Sequence, residues 1–249
     1  MKTRIIILSA FYFLLLPLKT VAQENDNYLM LFVDKSISVK QQKNSQDNYI
    51  YHLVKKHYSS DKAIVEVRFL FENTATISSK VFEFKMPKFP KGNFRKENLP
   101  LQKQLYKSKV KRAKKKFAKK IVEYVNSFEA KARQTEIVSA LVPISRNSAK
   151  KIHAVFISDM LESSNRFRKM DSDPFQTEKV AIWGAKQDVK KLHRIFQVPK
   201  NLQKNIHVLC VLPVSVNTKE KAFQFVEAYW RTVFSSFGIE NKNIKFKSI

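Results

Sequence analysis

The 249-residue chain is short of several things at once: it has one cysteine, three glycines, eight prolines, and 21 acidic residues against 47 basic ones. A single cysteine excludes a disulfide scaffold and a Cys-based zinc site. Three glycines exclude collagen-like and Gly/Ser-linker compositions. With only Gly92, Gly184 and Gly238 available, there is no Gly-rich phosphate loop and no Gly-x-Ser-x-Gly nucleophile elbow. The shortage of acids leaves a formal charge of +26. What the chain does have is 44% hydrophobic and 12% aromatic residues, which is enough for one sizeable core and excludes a wholly disordered chain.

The longest apolar run, Ile5 to Leu18, is broken by Pro17 and falls short of the roughly 20 residues that span a bilayer as a helix. Lys2 and Arg4 precede it, and small residues Thr20-Val21-Ala22 follow, before a polar Gln23-Glu24-Asn25-Asp26 stretch. This is the layout of a secretory signal peptide cleaved near Ala22, the alternative being an uncleaved N-terminal membrane anchor. The expectation is therefore a signal peptide over 1–22 and one domain over 23–249, exported to the periplasm or the extracellular space. Lys2, Arg4 and Lys19 lie in the leader, so the mature chain would keep +23 of the +26. No Cys follows the apolar run, which argues against a lipoprotein anchor. Cys210, inside the apolar Val208 to Leu212, reads as a buried free thiol.

Tyr28 to Asp34 is a continuous apolar run ending in an acid, the pattern of a central strand buried on both faces. A helical pattern over 44–58 follows. Ala63 to Phe71 and Thr76 to Met86 read as two hairpin-connected strands, and 87–100, with three prolines and a glycine, as a loop. From Leu101 to about Ala132 the positions Leu101, Leu105, Val110, Ala113, Phe117, Ile121, Val125 and Phe128 predict one long amphipathic helix. A loop at 134–136 and a short helix to about Ser145 come next. Ile152 to Ser158 is a second buried strand, again followed by an acid, Asp159. A helix over Glu178 to Phe196, a third buried strand over Ile206 to Leu212, a helix over Lys219 to Phe237 capped by Gly238, and an edge strand at Ile244 to Phe246 complete the chain. The alternation predicts an α/β fold: an open, doubly wound, mostly parallel sheet with one antiparallel edge strand and helices on both faces, of Rossmann-like type.

In such a sheet ligands bind beyond the carboxyl ends of the strands, where strand order reverses, and both strand-terminal acids should face that crevice. Asp34-Lys35-Ser36-Ile37-Ser38 places a carboxylate and two hydroxyls on alternate positions of one loop, a donor set suited to a hard divalent cation such as Mg²⁺. Thr135 and Asp159 can complete the ring. Asp-x-Ser-x-Ser after a central strand, then an isolated Thr, then Ser-Asp after a second buried strand, resembles the von Willebrand factor A domain and its metal-ion-dependent adhesion site. The resemblance spans nearly all of the mature chain in order and spacing. It implies that Asp34, Ser36, Ser38, Thr135 and Asp159 hold a divalent cation, Mg²⁺ first with Mn²⁺ or Ca²⁺ as alternatives. It also implies that the cation keeps a coordination position for a carboxylate of a protein partner, so that the function is adhesion rather than turnover. Lys35 beside the site, and Ile37 where the family often has Gly, depart from the pattern.

Nine basic residues, Lys107, Lys109, Lys111, Arg112, Lys114, Lys115, Lys116, Lys119 and Lys120, crowd one helix. They read either as a solvated face or as a site for an anionic surface, with acidic lipid or lipopolysaccharide ahead of nucleic acid, because the leader removes the protein from most nucleic acid and only Phe117 interleaves. A basic surface-binding module with a degenerate metal site is thus the rival to the adhesion reading. An enzyme is not expected. A haloacid-dehalogenase-type phosphatase also starts with an apolar strand ending in Asp, but needs a second Asp where Ser36 stands. The five histidines show no metal-ligand spacing in the sequence, and His153, His207, Trp183 and Trp230 read as packing or interface residues.

Overall fold

The computed structural model describes residues 28–35, 43–57, 62–92, 95–128, 134–202, 205–212 and 223–248. Among the described residues six strands form one sheet: β1 (Tyr28–Asp34), β2 (Lys62–Leu70), β3 (Lys80–Lys85), β4 (Lys151–Ile157), β5 (Asn205–Leu212) and β6 (Ile244–Ser248). Their spatial order is β3-β2-β1-β4-β5-β6. All neighbouring pairs are parallel except β2 with β3. The α-helices among the described residues, α1 (Lys43–His57), α2 (Leu99–Ser127), α3 (Leu141–Arg146), α4 (Glu178–Phe196) and α5 (Val226–Ser235), flank the sheet. The fold is the expected α/β arrangement, mostly parallel with one antiparallel edge strand.

β1 is central because every residue from Leu29 to Asp34 is buried, and its side chains divide by parity as strand geometry requires. Leu29, Leu31 and Val33 enter a core with Ile50 and Val54 of α1 and Ala118, Ile121 and Val125 of α2. Met30 and Phe32 enter the opposite core with α3, α4 and α5. There Phe32 stacks on Phe156 with centroids 4.7 Å apart. The α4–α5 pair is joined by Asp188, which accepts hydrogen bonds from Tyr229 Oη and Arg168 Nε. Cys210 is a buried free thiol, as expected.

The sequence expectations shift in several places. Of the helix expected over Lys219 to Phe237, 219–222 lie outside the described residues and 223–225 form a turn, with Phe225 at φ +71°, before α5 starts at Val226. β3 begins at Lys80 rather than Thr76, because Thr74 closes a local turn: its hydroxyl accepts from the Phe71 N–H at 3.1 Å and donates to the Phe71 carbonyl at 2.9 Å, and Thr76 N–H donates to the Asn73 carbonyl. The helical stripe of α2 does not start at Leu101. Leu101 and Leu105 are 54% and 55% exposed. With 3.6 residues per turn, they fall on the side of the helix away from the buried Ile121 and Val125. Trp183 is 63% exposed and belongs to no core, whereas Trp230 is fully buried. Gly238 caps the end of the final helical segment with φ +82°, where an added Cβ would lie 2.7 Å from Asn201 Oδ1.

At the amino-terminal end of the sheet the fold gathers three histidines that are far apart in sequence. The rings of His57 (α1) and His153 (β4) are 5.2 Å apart between centroids, and His153 and its register partner His207 (β5) stack at 5.1 Å. Burial, with like charge from His57, His207 and Lys151, pushes His153 down to about 4. Burial with Lys151 and Lys245 also lowers His207. Groups depressed in the fold bind fewer protons than in the unfolded chain, so their stabilising contribution is present above the unfolded pKa of 6.5 and is lost as pH falls towards about 4. Thermal melts at about pH 7.5 and about pH 5 are expected to show a lower Tm in acid, and a smaller drop in His153→Phe.

Candidate functional site at the carboxyl ends of β1 and β4

β1 and β4 lie side by side in parallel, and connections run outward from them in both directions, to β2 and β3 on one side and to β5 and β6 on the other. Strand order therefore reverses between them, the place where such sheets bind ligands beyond the carboxyl ends of the strands. Asp34 is the last residue of β1 and Asp159 lies two residues past the end of β4. Both are buried, as is Thr135.

Each acid accepts a hydrogen bond from the segment that follows β4. Ser158 Oγ donates to Asp34 Oδ2 at 2.8 Å across 124 residues of chain, and accepts the Met160 N–H at 3.0 Å. Asp159 Oδ1 accepts the Leu161 N–H at 3.0 Å, an Asx turn that orients its carboxylate. Met160 sits at φ +62°, a left-handed conformation unfavourable for a residue with a Cβ. It is held there by Trp230, whose indole N–H donates to the Met160 carbonyl at 2.7 Å. The loop after β4 is thus pinned from the core side by α5.

Thr135 reaches the same end of the sheet through two other segments. Its N–H donates to Ser163 Oγ at 2.8 Å while its carbonyl accepts from the Ser163 N–H at 2.9 Å, and the next residue, Glu136, donates its N–H to the carbonyl of Phe71, just beyond β2. Asp34, Thr135 and Asp159, three of the five residues expected in the site, therefore stand at one end of the sheet, Asp34 at a strand end and the other two on loops. Ser36 and Ser38 lie outside the described residues. Among the described residues no group of three or more His, Cys, Asp or Glu side chains is arranged to hold a metal. The expected donor set draws on only two carboxylates and is completed by hydroxyls. Its chemistry, all oxygen and two negative charges, fits a hard divalent cation rather than a soft one.

Sequence reasoning missed two residues of this region. Ser158 stood in the quoted Ser158-Asp159 pair, and its position after a buried strand was the only signal that it would turn towards β1. Glu162 gave no signal at all, since it reads as part of a polar loop. It is fully buried, and its Oε2 accepts the N–H groups of Ile137 and Val138 at 2.7 and 2.9 Å, anchoring the segment that carries Thr135. Burial outweighs those donors and Ser164 and pushes Glu162 up to about 8, with nearby Glu136 adding to the rise. Glu136, also raised by burial, is opposed by Arg166 at 3.2 Å.

The nine basic residues of α2 do not form part of this site. They ring the helix on the faces turned away from the sheet, eight of them exposed and Lys114 half-buried. Lys119 pairs with Glu123 within the helix, and Lys120 lies over the Phe82 ring.

The fold and the placement of these loops define an open, mostly parallel α/β sheet of Rossmann-like class. The chain matches no protein-family model and no curated protein. Among solved structures it is similar to proximal thread matrix protein 1 from the mussel byssus, with a TM-score of 0.43 and 12% identity over 90% of this chain and 44% of that one. It is also similar to the human COPII-coat protein Sec24c, with a TM-score of 0.37 and 9% identity over 90% of this chain and 30% of that one. The chain thus spans less than half the length of either.

Because Glu162 is raised in the fold, its contribution to stability is present below the usual carboxyl pKa of 4.5 and is lost as pH rises through about 8. Glu162→Gln keeps a carbonyl for both N–H donors without a buried charge. Denaturant unfolding at about pH 8.5 is expected to find Glu162→Gln at least as stable as the native chain, and Glu162→Ala about 1–3 kcal/mol less stable.

Proposed function

We propose that this chain is a non-enzymatic protein-binding module that holds a divalent cation, Mg²⁺ before Mn²⁺ or Ca²⁺, through Asp34, Ser36, Ser38, Thr135 and Asp159, and that the cation takes a carboxylate of a partner protein. Export through a leader at 1–22 belongs to the same proposal. The observation that carries it is the buried Asp34 at the end of the central strand, tied by Ser158 to the strand-end loop that presents Asp159.

Keeping a carboxylate charged at a buried strand end is costly, and a bound cation would offset that cost. When bound, the cation supplies an electrophilic position for an oxygen ligand. The chain's own residues contribute orientation. Ser158 directs one oxygen of Asp34, the Asx turn directs Asp159, and Ser163 and Glu162 hold the Thr135 segment at the same level. The +23 that the chain would keep without its leader raises the local concentration of anionic ligands and favours an acidic group over a neutral one.

Calorimetric titration with Mg²⁺ and Mn²⁺ is expected to give saturable binding to the native chain and none to Asp34→Ala or Asp159→Ala. Ser158→Ala, which removes only an orienting hydroxyl, should weaken binding roughly 10- to 100-fold. Absence of any saturable heat in the native chain at millimolar cation would sink the cation reading.

A further inference from the structure

We infer that the opposite end of the sheet, together with the first turns of α2, docks on an anionic lipid bilayer. The inference does not rest on the cation reading.

The register along α2 shows how much of the helix stands clear of the sheet. Phe128, just past its end, stacks on Phe69 near the carboxyl end of β2 at 4.1 Å, and Asn126 bonds Asp47 of α1 at 2.6 Å. Phe117 packs edge-on against Phe84 of β3 at 5.5 Å. Tyr106 is already level with Lys62 and Lys85, the residues that start β2 and end β3. A 29-residue helix is about 43 Å long, against roughly 30 Å for a nine-residue strand. The excess projects past the amino-terminal end of the sheet, and it carries the exposed Leu101 and Leu105.

Two adjoining clefts open beneath this projection, of about 530 and about 420 Å³. Lys62, Lys85 and Lys88 rim the first around Met86, Phe89 and Tyr106. Lys55, Lys107 and Lys111 rim the second, which shares Met86 and Tyr106 and adds Val110. No acidic residue is among the described residues lining either one. A basic rim over an apolar floor complements a negatively charged headgroup joined to the upper part of an acyl chain. Phe89 and Tyr106 meet edge to face, 5.1 Å between centroids and 75° between planes, so they offer no flat pair for stacking nucleobases. β1 starts at Tyr28, which pairs with Ile64 and Ile152 at this same end of the sheet.

Vesicle flotation of the full chain tests this. Retention by phosphatidylcholine vesicles containing phosphatidylglycerol is expected to exceed that by pure phosphatidylcholine. The excess should fall roughly fivefold for each lysine removed in the combined variant Lys85→Gln, Lys88→Gln, Lys107→Gln. The same charge removed from α4 by Lys179→Gln, Lys186→Gln and Lys190→Gln should leave the excess within about twofold, since α4 packs on the opposite face of the sheet from α2. Leu101→Ser with Leu105→Ser should lower the retention that survives in raised salt. Equal retention by both kinds of vesicle, or equal losses in the two lysine triples, would overturn the proposal. Displacement from vesicles by duplex DNA at matched charge would overturn it in favour of a polyanion groove.

Discussion

Parallel pairing of β1 with β2 on one side and β4 on the other, with helices over both faces, leaves no part of that strand from Leu29 onward in water. Nearly everything else in the molecule is arranged to permit this. Two cores are needed rather than one, and the side chains of β1 are shared between them residue by residue. A strand so enclosed must end in a polar loop, and because its neighbour β4 runs the same way, the two loops emerge together. The closeness of Asp34 to Ser158 and Asp159 follows from strand direction before any question of ligand arises.

Burying a carboxylate such as Asp34 is costly unless its oxygens are satisfied, and the chain answers with a small network. Ser158 serves both Asp34 and the Met160 N–H, Trp230 holds the carbonyl of the strained Met160, and Trp230 is itself packed against Phe234 and Tyr229 in the core. The position of the loop is thereby coupled to the packing of α5. Asp34 and Asp159 stand at one end of the sheet, while the lysine-rimmed clefts and the three histidines stand at the other. The polarity of the chain's chemistry runs along the strand axis.

The strands were legible because buried parallel strands are written as uninterrupted apolar runs, and Tyr28–Asp34 appears within its exact bounds. Helix α4 was equally plain, bounded by Thr177, which accepts the Val180 N–H, and by Gln197 in a left-handed turn. The start of β3 was hidden because Thr76 and Ile77 look like strand residues until the Thr74 hydroxyl draws the backbone into a turn. Leu101 and Leu105 misled because spacings of four and five, followed over many turns, walk around a helix of period 3.6. Of the site, Asp34, Thr135 and Asp159 were visible as strand-end or loop residues. Glu162, whose role is to hold backbone N–H groups at 25 residues' remove, carries no local pattern. The histidine trio was invisible for the same reason: strand pairing and helix packing assemble it from residues 57, 153 and 207.

The connectivity of the central strand also sets the order in which the molecule can form. β1 appears among the first elements of the chain, yet its second neighbour does not begin until Lys151, and Asp34 meets Ser158 only across 124 residues. Until then the apolar Leu29 to Val33 has an open edge and an uncovered face. Such long-range parallel pairing is slow, and waiting strands are prone to stick to one another. A chain carrying +26 repels its own copies during that interval. The excess of lysine, read throughout the folded protein as a surface for partners, therefore also protects a nascent chain that cannot close its own centre until more than half of it has been made.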